Sequence, residues 1–197
     1  MLNFFVSVWL KFFFVLTPFF ALSMFLSMTR EYSGAQQRHL AWRVLGAATV
    51  ICLILFFFGS VIFALFGITL DAFRVGTGAL LFLSSVTLIR NTPVSDADSP
   101  DHDIAVVPLA IPVIVGPATV GTLLVLGAEI DAPLRKAVGA LALLFALATL
   151  GTILLLASAI ERVIGRRGLN ILSKVTGLVL AALAAQMMLV GIANFLG

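Results

Sequence analysis

Long apolar runs alternate with short polar stretches along the whole chain. Each run has about 20 residues or more, which is the length that a helix needs to cross the hydrocarbon core of a bilayer. No run shows the every-second-residue alternation of a transmembrane β-strand. The pattern therefore predicts an all-α protein with six membrane spans, at about residues 4–28, 44–66, 70–90, 104–127, 136–160 and 169–195.

Two of the predicted spans carry prolines in their interior. Pro18 lies in the first span, while Pro108, Pro112 and Pro117 lie in the fourth. A proline inside a helix removes a hydrogen bond and costs roughly 3 kcal/mol. Lipid offers no replacement, so broken backbone is tolerated only inside protein or beside a watery cavity. We predict that the first span is broken at Pro18 and the fourth at Pro117, with Pro108 and Pro112 shaping the approach to the second break.

The chain divides into two similar halves. Residues 1–90 and 104–197 each supply three predicted spans, and an acidic linker at 91–103 separates them. Each half opens with a proline-broken span and has a glycine, Gly67 or Gly168, before its last span. Because three is odd, the second half enters the membrane from the opposite side, which predicts an inverted repeat. In transporters with this plan, the broken spans meet near the midplane and form the binding site.

A charged landmark repeats at a matched spacing in the two halves. Arg74 lies 56 positions after Pro18, and Lys174 lies 57 positions after Pro117. Ionisable residues within a membrane are expensive and mark functional sites by default. We therefore take Arg74 and Lys174 as coupling or gating candidates. An interfacial position, with the long side chain reaching the surface, is the alternative for both.

Other polar residues of the spans are read in the same way. Asp71 lies three positions before Arg74 on one helix face and can pair with it, either as a coupling carboxylate or as an interfacial ion pair. Gln186 lies deep in the last span, where packing and a site role are equally open. Lys11 is expected to reach from the first span to the surface, and Glu129 is expected to lie in a loop.

Composition agrees with a membrane protein and excludes several other classes. Apolar residues make up 61% of the 197 residues and charged residues 11%, whereas soluble domains have about 25% charged residues. The net charge of +3 forms no basic stripe that would bind nucleic acid. Cys52 is the single cysteine, and no metal-site or nucleophile motif occurs. We expect no enzyme activity, no metal and no cofactor.

Basic residues are unevenly placed between the spans. The loops predicted at 29–43, 90–103 and 161–168 share one face and carry seven of them. The positive-inside rule assigns this face to the cytoplasm, so both termini are expected on the outer side.

The residues around the two breaks are small or carry hydroxyls. A half-helix N-terminus suits a carboxylate, and freed carbonyls suit an ammonium group, so a small zwitterion satisfies both. The alternative is that the prolines only kink packed helices. The predicted binding residues are Thr17, Pro18, Ser23, Gly116, Pro117, Ala118, Thr119 and Thr122.

Three stretches, at 66–78, 104–121 and 168–192, resemble the MarC family of bacterial inner-membrane proteins, which includes SnatA-type transporters. The resemblance covers nearly the whole chain. It implies a six-span transporter of glycine- or alanine-like amino acids, related to LysE-type exporters. The chain departs from the usual family pattern at four positions. The family usually has asparagine in place of Thr17, often proline in place of Asp71, glycine in place of Ala118 and arginine in place of Lys174.

These observations predict a secondary transporter of small neutral amino acids that works by alternating access in the inner membrane. Its partners would be the lipid bilayer and the amino acid, with a proton or sodium ion as coupling ion. The sequence allows a homo-oligomer, and it does not determine whether transport is import or export. The alternatives are an exporter of another small solute and a non-transporting membrane scaffold protein.

Overall fold

The computed structural model describes residues 1–90, 114–130 and 132–196, and its regular elements there are all helices. By length and composition, five helical stretches in this part of the chain can cross a membrane. The chain is thus an all-α integral membrane protein, as predicted. The helices are α1 (Leu2–Val15), α2 (Pro18–Met28), α3 (Gly34–Phe66), α4 (Leu70–Arg90), α5 (Pro117–Glu129), α6 (Pro133–Leu155) and α7 (Ala157–Leu196).

The first span is broken where the sequence predicts it. Helix α1 ends at Val15, and α2 begins at Pro18. Between them Thr17 has φ 46° and ψ 56°, and it is the one non-glycine residue with positive φ in the described chain. A β-branched residue is a genuine outlier in this left-handed region. The helix is therefore interrupted by two neighbouring residues that both oppose its continuation.

The fourth span shows a helix beginning at the second predicted break. Gly116 is extended, with φ −76° and ψ 173°, and α5 starts at Pro117. Proline suits the first helical position because the N–H it lacks would have no intrahelical acceptor there. The linker 91–103 and the prolines Pro108 and Pro112 lie outside the described residues.

The predicted start of the second span is wrong. Helix α3 begins at Gly34 rather than near residue 44. The Ser33 amide donates to Gln36 Oε1 at 2.8 Å, and the Gln36 amide donates to Ser33 Oγ at 3.4 Å. This capping box starts the helix within polar sequence. Hydropathy marks only the apolar part of such a helix, so Arg38 and Arg43 lie on α3 and not in a loop.

The predicted loop at 161–168 is also helical. It belongs to α7, and the chain bends at Gly165, with φ 68° and ψ 167°. The predicted turn at Gly168 is therefore wrong, because a neighbouring glycine adopts the backbone conformation that other residues avoid. In the first half, Gly67 ends α3 with φ 63°, as predicted.

The last helices of the two halves, α4 and α7, form the most extensive helix pair. Glycines on both helices allow it. A Cβ on Gly78 would lie 3.0 Å from the Ala184 carbonyl oxygen, and one on Gly177 would lie 3.0 Å from the Ser85 carbonyl oxygen. Small residues at such contacts let membrane helices approach closely. This pair forms one wall of the cavities described below.

The first span of each half packs against the later spans of the other half. The broken first span packs on α6 and α7, and the described part of the fourth packs on α3 and α4. An inverted repeat requires this exchange of partners. The repeat itself stays a prediction.

Candidate functional site

The two breaks meet around a cavity of about 220 Å³, which we call the hydroxyl cavity. The first break contributes one side of it, the start of α5 contributes another, and α4 and α7 complete it. Its wall consists of Val15, Thr17, Phe20, Leu81, Ser84, Thr87, Leu88, Gly116, Pro117, Ala118, Thr119 and Leu180.

Among the described residues, the lining of this cavity includes no ionisable side chain, so its polar groups there are hydroxyls and backbone. Thr17 and Thr119 supply hydroxyls from the breaks, and Ser84 and Thr87 supply hydroxyls from α4. The Thr87 hydroxyl donates to the Leu83 carbonyl at 3.1 Å. A hydroxyl both donates and accepts, so this lining can bind either end of a small polar solute.

A hydrogen bond joins the two breaks directly. The Thr119 hydroxyl donates to the Val15 carbonyl over 3.3 Å, and both residues are buried. Val15 is the last residue of α1, and carbonyls in a last turn have no intrahelical partner. The side chain of one half of the chain thus satisfies backbone freed by the break in the other half.

The helix ends give the cavity an electrostatic direction. The N-terminus of α5 lies at Pro117, where the macrodipole is positive, and the C-terminus of α1 lies at Val15, where it is negative. Both residues line the hydroxyl cavity. The arrangement therefore presents partial charges of both signs to a solute without using a charged side chain.

A second cavity, of about 250 Å³, lies beside the first, and we call it the charged cavity. Val15 and Leu81 line both cavities and form their common wall. The described residues that line the charged cavity are Lys11, Val15, Arg74, Leu81, Thr122, Val125, Leu126, Glu129, Leu183, Gln186, Met187 and Val190.

Arg74 organises the charged cavity. Its Nε and Nη2 donate to Glu129 Oε1 at 2.9 and 2.8 Å, and its Nη1 donates to Asp71 Oδ1. Asn194 Nδ2 donates to the same Asp71 oxygen at 3.2 Å. The network ties α4 to α5 and α7, and only 12% of the Arg74 side chain is exposed. The predicted contact between Asp71 and Arg74 is confirmed.

Glu129 was wrongly predicted to be a loop charge. It is the last residue of α5, and its carboxylate accepts two of the bonds from Arg74. The sequence holds a signal that would have found this pair, because the end of the fourth span and the start of the third lie at the same membrane face.

The predicted binding residues are only partly brought together. Thr17 and the stretch 116–119 line the hydroxyl cavity, and Pro18 is the buried first residue of α2. Ser23 donates to the Phe19 carbonyl at 2.9 Å and lines a separate cavity. Thr122 donates to the Ala118 carbonyl at 2.8 Å and lines the charged cavity.

The two matched charges lie in different surroundings. Arg74 is held by two carboxylates, whereas Lys174 is exposed and is absent from the lining of both cavities. Gln186 lines the charged cavity. Lys11, which was expected to reach the surface, lines the charged cavity as well. Ser84 and Thr87 of the hydroxyl cavity were not predicted, since hydroxyls are common in membrane helices.

The sequence profile described as MarC family integral membrane protein matches residues 2–196. The chain belongs to the MarC family. The UPF0056 membrane protein MJ0972 of Methanocaldococcus jannaschii is 33% identical over 199 residues, covering 97% of this chain and 87% of the relative. The UPF0056 inner membrane protein YhgN of Escherichia coli K12 is 29% identical over 180 residues, covering 90% of each chain. No solved structure matches.

Membership of the MarC family confirms the resemblance drawn from the sequence. It agrees with the helical, multi-pass architecture. The E. coli relative is named an inner membrane protein. The family therefore establishes what kind of molecule this is, and the two cavities supply the basis for a proposal about what it does.

Proposed function

We propose that this MarC family protein is a secondary transporter that moves a small neutral amino acid by alternating access, with the hydroxyl cavity as its binding site. One observation carries the proposal: the broken ends of two spans meet around a cavity lined by hydroxyls and backbone. Interrupted helices of this kind form the substrate sites of many secondary transporters.

The chemistry of the cavity suits a small zwitterion. A carboxylate would lie at the positive N-terminus of α5, where the first-turn amides of Ala118 and Thr119 have no intrahelical acceptor. An ammonium group would donate to hydroxyls and carbonyls near Val15 and Thr17. The volume of about 220 Å³ lies below the roughly 300–1,000 Å³ of pockets for drug-sized ligands. Glycine and alanine fit these limits.

A transport assay tests this function. Purified protein in proteoliposomes should take up labelled glycine or alanine, with a proton or sodium gradient as the driving force. Thr119→Val keeps the shape of the side chain but removes its hydroxyl, and it should lower uptake about tenfold, the equivalent of roughly one hydrogen bond. Thr152→Val is the matched control, because Thr152 is an exposed threonine on α6 whose hydroxyl bonds within its own helix.

The same assay separates the other functions. If the protein instead moves a different small solute in a saturable way, and Thr119→Val abolishes that movement, the hydroxyl cavity would remain the proposed site and the proposed substrate would change. A wild-type protein that moves no member of an amino acid and small-solute panel would contradict transport and support a scaffold role.

We also propose that the face bearing the basic stretches 29–43, 90–103 and 161–168 is cytoplasmic, with both termini outside. A periplasmic alkaline phosphatase fused to the C-terminus should then be active. Activity only of a cytoplasmic reporter at that position would reverse the orientation.

A further inference from the structure

Lys11 lies well inside the apolar first helix. It is the tenth residue of α1, which ends at Val15 inside the broken span. At 1.5 Å per residue, ten residues cover about 15 Å, or half of the roughly 30 Å hydrocarbon core. A lysine at the centre of a bilayer costs several kcal/mol unless it faces a partner or a watery cavity. Lys11 is half-buried and lines the charged cavity.

The negative group of the same cavity keeps one oxygen available. Both bonds from Arg74 fall on Glu129 Oε1. In the described part of the chain, no hydrogen bond to Glu129 Oε2 is found. Arg74 is shared between Glu129 and Asp71, so this cluster holds two negative charges against one positive charge. Its excess is negative.

The charged cavity is therefore divided electrically. Lys11 contributes a positive charge from α1, and Glu129 contributes a negative charge from α5 that Arg74 only partly offsets, because Arg74 is shared with Asp71, which lies outside the lining. A ligand with one charge of each sign is neutral overall and would satisfy both groups at once. A purely anionic or purely cationic ligand would satisfy one group and be repelled by the other.

We infer that the charged cavity is a second site for a small zwitterion, whose carboxylate is bound by Lys11 and whose ammonium group is bound by Glu129. The inference extends the proposed function, because it gives the transported amino acid a second position across the wall of Val15 and Leu81. The charged site depends on the charges of this cavity and not on the hydroxyl cavity. Lys11 is the residue that determines recognition of the carboxylate.

Binding stoichiometry tests this inference. Labelled glycine should bind to the purified protein in phosphatidylcholine nanodiscs at two equivalents per chain. Lys11→Gln should bind one equivalent, and Lys11→Arg, which keeps the charge, should bind two. Glycinamide, which lacks the carboxylate, should not displace the equivalent that depends on Lys11. Lys136→Gln is the control, because Lys136 is a lysine in the first turn of α6 that lines neither cavity.

The outcomes separate the two proposals. One equivalent that is lost in Lys11→Gln and kept in Thr119→Val would support the charged site and contradict the hydroxyl site. One equivalent that is kept in Lys11→Gln and lost in Thr119→Val would overturn the inference and leave the proposed function in place. No bound glycine would overturn both.

Two controls keep the result specific. Lys11→Gln must elute as a single species at the wild-type volume and unfold at the wild-type temperature. If Lys11→Gln is not folded like the wild type, the competition with glycinamide on the wild-type protein tests the charged site instead. Loss of the Lys11-dependent equivalent in nanodiscs of phosphatidylethanolamine would assign the site to a lipid headgroup and overturn the inference.

Discussion

The hydroxyl cavity and the charged cavity share a wall and differ in how they obtain polarity. The hydroxyl cavity lies where two helices are interrupted, so helix ends and hydroxyls supply its polar groups. The charged cavity lies away from the helix starts at Pro18 and Pro117, and its polarity comes mainly from the side chains of Lys11, Arg74 and Glu129. Broken backbone therefore lets a membrane protein bind polar solutes without burying a full charge.

The common wall is apolar. Val15 and Leu81 are nearly fully buried, and each contacts both cavities. The Val15 carbonyl is held by Thr119 on one side of this wall. Under the proposed function, a solute passing between the cavities would have to displace these two side chains.

Removing the central charge of the charged cavity should have the largest effect. Arg74→Gln leaves Glu129 and Asp71 without the cation that both contact, and because these side chains are 31% and 28% exposed the loss costs about 2 kcal/mol. The free energy of unfolding in a denaturant titration should fall by that amount. Lys174→Gln is the matched control from the second half of the chain, and it should change stability by less than about 0.5 kcal/mol because Lys174 is exposed. Equal effects of the two substitutions would contradict the different surroundings described for these residues.

Thinning the wall should have a smaller effect that is specific to transport. Val15→Ala removes two methyl groups between the cavities, and downhill efflux of glycine from proteoliposomes should rise about tenfold, equivalent to roughly 1.4 kcal/mol off the barrier. The exposed Val50→Ala is the control. Unchanged efflux, in a variant that still binds glycine, would show that solute does not cross at this wall.

Local chemistry predicted the breaks, and packing determined what they enclose. Proline is disfavoured inside a helix and favoured at its first position, so Pro18 and Pro117 located both helix starts from sequence alone. Asp71 and Arg74 are three residues apart on one helix, which is also a local relation. The contact between Arg74 and Glu129 joins two helices across 55 positions, and no local pattern contains it.

The errors have equally specific causes. Ser23 follows the first break closely, yet its hydroxyl bonds to the Phe19 carbonyl of its own helix and it faces another cavity. Ser84 and Thr87 enter the hydroxyl cavity because glycines bring α4 close to α7. The position of a residue in the sequence thus predicts where it lies along its helix. Helix rotation and packing determine which side chains contact one another.

The left-handed Thr17 has a consequence for the thermodynamics of binding. A residue in this conformation costs about 1–3 kcal/mol, and together with Pro18 it prevents α1 and α2 from joining into one helix. The cost of keeping these backbone groups open is met when the protein folds. A ligand of the proposed site would therefore find it preorganised and would not have to unwind a helix in order to bind.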